Sequence, residues 1–398
     1  MKSLLNVFLI LALMAMFTIS CDEGTENPPP EEDEDLTIVD NISENTTWET
    51  GKVYQLGGRI AVLDGVTLTI EPGVIIKGEA GTGSNATALL VARGATLIAE
   101  GTADSPIIFT SVADEIVPGE VASPNLDPTL NGLWGGVIVL GNATISADAA
   151  SVQIEGIPAS DQNGLYGGDD DADNSGSIKY VSIRHGGANI GEGNEINGLT
   201  LGGVGSGTTI ENVEIVSNQD DGIEWFGGAV SVSNVVVWNT GDDAIDTDQA
   251  WSGTLNNFVI LNPGDECFEL DGGEGNFNNM HTITNGSVSA QGAEGLADLD
   301  DKGAAGTVGN SYVDMSNIYF FDVTYGQDFD DNPADLTAAG FELTVPSDTL
   351  EVSDFFVDGV ADAVTIVAAG ANTIGADMSK FTGWSLSLIH ISEPTRLC

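Results

Sequence analysis

The sequence predicts an all-β chain wound as a single parallel β-solenoid. Three observations carry this. One pattern is written three times: Asn212-Val213 with Asp220-Asp221-Gly222-Ile223-Glu224, Asn234-Val235 with Asp242-Asp243-Ala244-Ile245-Asp246, and Asn257-Phe258 with Asp265-Glu266-Cys267-Phe268-Glu269. Its offsets are 22 and 23 residues, the size of one solenoid coil. Short β-branched runs alternate with Gly, Asn and Asp, and no helical stripe follows the first twenty residues.

Met1–Ser20 reads as a targeting segment. Lys2 supplies the positive start, and Leu4 to Phe17 is apolar but short for a bilayer span. The run ends in Phe17-Thr18-Ile19-Ser20-Cys21, which resembles a bacterial lipoprotein signal, with Thr18 where Leu is usual. Cys21 is then the lipidated first residue and the anchor to the outer membrane. An ordinary secretory signal is the alternative. Residues 21–44 hold Asp22-Glu23, Pro28-Pro29-Pro30 and Glu31-Glu32-Asp33-Glu34-Asp35, the composition of a solvated tether. Acids directly after the cysteine resemble the surface-export signal of Bacteroidota lipoproteins, which implies a surface-exposed protein; a periplasmic spacer is the other reading. Leu386 to Cys398 resembles the translation of a sequencing-library adapter and is set aside.

The solenoid is expected over residues 45–385. Val66-Thr67-Leu68-Thr69-Ile70 alternates, Glu71-Pro72-Gly73 turns, and Val74-Ile75-Ile76 resumes. Gly94-Ala95-Thr96-Leu97-Ile98-Ala99 repeats the theme, and Pro106-Ile107-Ile108-Phe109 gives the next strand. Two stretches, 114–133 and 156–175, break the period and read as surface loops. The coils from Thr208 to Gly273 are the most regular, and those after Asn285 are expected to decay.

Composition narrows the function. The formal charge is −51, from 61 acids against 10 bases. Nucleic acid and anionic membrane surfaces are poor partners for that field, and cations are good ones. Adaptation to salty water is a second reading of the same charge. With Cys21 and Cys398 set apart, Cys267 stands alone and reads as a small core residue. A monomer is expected.

Strand alternation sets the candidate site. With Ile223, Ile245 and Phe268 inward, Glu224, Asp246 and Glu269 point outward from one sheet. Carboxylates stacked about 4.8 Å apart repel by roughly 0.9 kcal/mol per pair even at the dielectric of water. No Lys or Arg occurs between Arg184 and Lys302 to compensate. A hard cation, Ca²⁺ first, is therefore the expected partner of Asp220, Asp221, Glu224, Asp242, Asp243, Asp246, Asp265, Glu266 and Glu269. A solvated acidic face with Asp side chains capping turns is the alternative. Asp169, Asp171 and Asp173 take positions 1, 3 and 5 of a loop, the spacing that wraps oxygens around Ca²⁺. That loop departs from the calcium pattern at Asn174 and Tyr180.

Gly65-Val-Thr-Leu-Thr-Ile-Glu-Pro-Gly73, Leu133-Trp-Gly-Gly-Val-Ile-Val-Leu-Gly141, Ser175-Gly-Ser-Ile-Lys-Tyr-Val181 and Asn218-Gln-Asp-Asp-Gly-Ile-Glu-Trp-Phe-Gly-Gly228 stand in this order. The string resembles a family of Bacteroidota secreted lipoproteins. The resemblance implies a right-handed parallel β-helix and brings no established activity. Some members carry a "multidrug transporter" label, which this sequence does not support.

Catalysis on sugar is the rival to binding. Thr240-Gly241-Asp242-Asp243-Ala244-Ile245 faintly resembles the strand end of polygalacturonase-like hydrolases, where two carboxylates act as acid and base. The Gly-His-Gly and Arg-Ile-Lys coils of that family are absent. Asp242, Asp243 and Arg184 are the candidates if the protein is an enzyme. Arg184 is expected to point outward and His185 inward, and His281 reads as structural. Trp225, Trp238 and Trp251 are spaced by 13 and 13 residues, out of step with the coil, so packing is expected rather than one sugar-binding column. The reading these residues favour is a non-catalytic, Ca²⁺-stabilised surface module that binds extended glycan or another surface.

Overall fold

The computed structural model describes residues 36–188 and 196–387. The signal segment, Cys21 and most of the acidic tether lie outside the described residues, as do residues 388–398. Within them the chain is a right-handed parallel β-helix. Two long sheets form its walls, one of 16 strands and one of 8. No helix among the described residues is long and apolar enough to cross a membrane.

The helix begins earlier than the sequence suggests. Thr37–Ile38 pairs in parallel with Val53–Leu56, and Ile42 is buried in the core, so the first coil occupies the end of the expected tether. The repeat then runs as read. Ile210 stands beside Val232, and Val232 beside Leu255, the predicted steps of one coil. The coils after Asn285 decay later than expected: the smaller sheet ends at Asp298–Leu299, and the larger one closes with the three-residue strands Phe341–Leu343 and Val364–Ile366. His281–Ser289 and Val313–Phe321 pair along their full length, and the extra residues of these wider coils form loops outside the strands.

The asparagine that opens each repeat makes a corner. Tyr180, Asn212, Asn234, Asn257, Asn285 and Asn317 all sit at left-handed φ between 50° and 62°. Asn tolerates this region better than most residues, and its side chain can bond upward and downward along the stack. Asn257 Nδ2 donates to Asn234 Oδ1 at 2.7 Å, and Asn317 Nδ2 donates to Asn285 Oδ1 at 3.2 Å. Each long strand therefore bends at the same place without losing register. Asn234→Ala should destabilise by about 1–2 kcal/mol, since it removes the ladder bonds and leaves at a left-handed φ a residue without the polar side chain that makes this region tolerable. Asn234→Gly should cost less, because glycine keeps the conformation. Urea unfolding of the two variants checks this; equal losses would mean the corner conformation is unimportant.

The interior is a continuous apolar file. Ile223, Ile245 and Phe268 lie in it, as the alternation requires, and Cys267, in the turn before its strand, is buried there too. Burial pushes the Cys267 thiol up, consistent with a small core residue. Trp225 and Trp251 are buried in the core, the packing role expected of them. Their rings stack at 4.7 Å, with Trp251 just past the strand Ile245–Asp248 and its Nε1 donating to the Val230 carbonyl at 2.9 Å. Trp251 also packs against His281 at 5.0 Å. His281 is buried, and burial drives its pKa down to about 3, so it is a neutral structural ring. Trp238 instead faces outward and lies with Val216, Val236, Phe381 and Trp384 beneath the C-terminal segment. Leu386 and Ser387, at the start of the adapter-like tail, pack beside Glu214.

Two insertions lie on the outside of the helix. Residues 114–133 fold over the larger sheet rather than standing away from it. The second insertion begins after Gly141, upstream of the expected residue 156, and runs to Ser175. It contains a small hairpin of Val152–Gln153 with Leu165–Tyr166. Its Ile145, Ile154, Ile157 and Tyr166 pack on Leu90, Ile138, Leu140 and Phe226 of the smaller sheet.

Candidate functional site: a covered file of carboxylates

The smaller sheet carries the acids. Thr200, Glu224, Asp246, Glu269 and Asp298 stand in register on successive strands, all on the outward side. The predicted column of Glu224, Asp246 and Glu269 is therefore real as a line in the fold. Asp298 extends it and escapes sequence reading because its coil is wider than the repeat. A second file lies at the turn before each strand. Asp221 Oδ1 accepts from the Asp243 N–H at 3.0 Å, and Asp243 Oδ1 accepts from the Glu266 N–H at 2.6 Å. These two aspartates cap the next coil, so the turn-capping reading holds for them.

Outward does not mean solvated here. Glu224 is 5% exposed and Asp246 9%, because the 142–175 insertion forms a wall beside them. Glu155 from that insertion adds another carboxylate: Asn197 Nδ2 donates to Glu155 Oε1 at 3.2 Å and also to Glu224. Asp220, Asp221 and Asp242 bring carboxylate oxygens within 4.8 Å of one another, and so do Asp221, Glu224 and Asp246. Asp221 belongs to both groups. Oxygens bound to one Ca²⁺ at about 2.4 Å are at most about 4.8 Å apart, so either group fits a hard cation. Asp243, Asp265, Glu266 and Glu269 flank these groups without joining them.

The electrostatics follow from burial without counter-charge. Burial first, then repulsion from Asp246, raises Asp221 and Glu224 well above the usual carboxylate range. Asp246 is raised by burial and by Asp248. Burial and the hydrogen bond with Glu269 push Asp243 up to about 11. Asp248 and Glu266 rise to about 8, mainly through burial, and Asp271 to about 7. Protons or a cation would relieve the repulsion among such groups.

The Asp169 loop does something else. Asp171 Oδ1 accepts from the Thr144 N–H at 2.9 Å, and Asp173 Oδ2 accepts from the Asn142 N–H at 3.0 Å. These carboxylates tie the two ends of the insertion together. Among the described residues, Asp169, Asp171 and Asp173 form no gathered oxygen group.

Arg184 points outward, as expected, but is sealed. Its side chain is fully buried beneath residues 114–133, with Nε on Ser182 Oγ at 2.8 Å, Nη1 on the Val121 carbonyl at 2.6 Å and Nη2 3.9 Å from Glu214. It lies on the larger sheet, away from the acids. His185 does not point inward. Its φ of 60° breaks the alternation, and Nδ1 meets the Leu130 carbonyl at 2.5 Å under the same insertion. Burial lowers its pKa.

Fold and site together define a right-handed parallel β-helix with a carboxylate-lined face beside an inserted wall. Residues 40–383 match the family described as a pectate-lyase like beta helix domain, and the chain belongs to that family. No curated protein and no solved structure matches it significantly.

Proposed function

We propose that this protein is a non-catalytic, Ca²⁺-loaded β-helix module that lays its acidic face along an extended glycan. We further propose that it is a Bacteroidota surface lipoprotein anchored through Cys21, on the strength of its sequence likeness to such proteins. The observation that carries the binding role is the gathering of Asp220, Asp221, Glu224, Asp242 and Asp246 with no basic residue among them. Asp221, Glu224 and Asp246 would hold one cation, and Asp220 and Asp242 would complete a more open position. A cation there would neutralise the face and offer remaining coordination positions to sugar hydroxyls or carboxylates. The long side of a solenoid suits an extended ligand.

The rival is a polysaccharide-degrading enzyme, favoured by the raised carboxyl of Asp243, which could serve as a general acid. The sealed position of Arg184 weighs against a lyase that takes its base from that residue. Calcium titration of chelator-treated protein, followed by pectin, alginate and xylan with product analysis, tests both. Saturable Ca²⁺ binding that is lost in Asp221→Asn/Asp246→Asn, with polysaccharide bound but intact, is expected. Depolymerisation that Asp242→Asn or Asp243→Asn abolishes would replace the binding reading with the enzyme.

A further inference from the structure

A second polar site lies away from the acidic file. Where the 142–175 insertion meets the first coils, a cavity of about 410 Å³ opens to solvent. Its lining is Asp64, Arg93 and Gly94 from two successive turns, and Asn142, Gln162 and Asn163 from the insertion. Nothing in it is aromatic, and Ala92 is its largest apolar side chain.

The cavity is built rather than incidental. Arg59 bridges Asp161 at 3.2 Å, and Arg93 Nη1 donates to the Gly167 carbonyl at 2.6 Å. Two of the few bases in a strongly acidic chain thus pin the insertion to the coils beside the opening. Asp161 Oδ1 in turn accepts from Asn163 Nδ2 at 2.9 Å, which fixes that carboxamide. Asp173 holds Asn142 in the same way from the other end. Gly94 has a φ of +79°, and a Cβ there would lie 2.1 Å from Asp64 Oδ1. Glycine therefore lets Asp64 close one rim.

The chemistry of the lining selects the ligand. One carboxylate beside a guanidinium is a poor cation site, which excludes a second metal. The charge of −51 disfavours polyanions, and the polar wall disfavours apolar ligands. What remains is a group whose atoms both donate and accept. Arg93 offers donors, Asp64 acceptors, and the Gln162 carboxamide both. We infer that this seam cavity is a subsite for a neutral sugar, with Asp64 and Arg93 engaging neighbouring hydroxyls. The volume falls within the usual ligand range of roughly 300–1,000 Å³ and suits one or two sugar rings. This inference shares a ligand class with the proposed function but does not need its cation.

Saturation-transfer NMR with glucose, galactose, mannose, xylose and rhamnose tests it on the full chain in chelator. Transfer to at least one sugar is expected, weakened about tenfold or more in Asp64→Ala and in Gln162→Ala. Both positions are exposed, so the fold should survive, and an unchanged melting curve verifies that. No transfer to any of the sugars overturns the subsite. Transfer that both variants leave intact overturns it too. Transfer that appears only with Ca²⁺ and is lost in Asp221→Asn/Asp246→Asn assigns the sugar to the acidic file and overturns the seam.

Discussion

In chelator, the protein should melt at a higher temperature near pH 5 than near pH 8, and Ca²⁺ should reverse that order. The sign follows from the direction of the shifts. Carboxyls in an unfolded chain release protons near pH ~4. In the fold, Asp271 is raised to about 7, and Asp248 and Glu266 to about 8, with Asp221, Glu224 and Asp246 also well raised. The folded state keeps protons that the unfolded chain has lost. Stability is therefore fullest below pH ~4 and falls as pH climbs through about 7 to 8. In the proposed role calcium would take the place of those protons, so its effect should grow with pH and fade where protons compete. At about 100 times its dissociation constant it should add about 2.7 kcal/mol. Differential scanning calorimetry at fixed ionic strength reads both axes. A chelated protein that gains stability toward pH 8, or a rise that Na⁺ matches, would mean a solvated face and no cation site.

Arg184→Ala should lower stability by about 3–5 kcal/mol. Arg184 and Glu214 are both fully buried, and Ser182 Oγ lies between them, donating to Glu214 at 2.6 Å. Removing the guanidinium leaves a large void, takes the nearby positive charge from Glu214, which still accepts from Ser182, Ser385, Leu386 and Ser387, and frees the Val121 carbonyl that holds the 114–133 insertion. Arg184→Lys should fall between, because an ammonium keeps charge but cannot span Ser182 and Val121 together. Urea unfolding measures the series. A change within about 0.5 kcal/mol of wild type would show that the insertion is not held by this residue. Turnover lost without loss of stability would return Arg184 to the catalytic candidates.

Most of the architecture was legible, because a solenoid repeats its instructions. The 22- and 23-residue steps located the strands, and alternation within them placed Ile223, Ile245 and Phe268 inside. Alternation failed where the backbone leaves the β region. His185 at φ 60° follows a strand residue yet turns beneath an insertion. The site was legible as a line of acids but not as an environment. Nothing in the spacing of Glu224 and Asp246 says that a hairpin from residues 142–175 will cover them; packing of Ile145 and Tyr166 on Leu140 and Phe226 decides that. The Asp169 loop shows a related limit: Asp171 and Asp173 bond backbone amides, a use that loop spacing cannot distinguish from metal binding.

The strand Gly176–Arg184 has an unusual place in the stack. On one side it faces two short strands, Thr96–Glu100 and Ile107–Ser111; on the other, one unbroken strand, Thr209–Val216. It joins two gauges of coil, so it cannot be copied without breaking the stack. The coils beyond it present alike faces above and below. A duplication or deletion there would be tolerated, and each added coil would extend the acidic file by one carboxylate and about 4.8 Å.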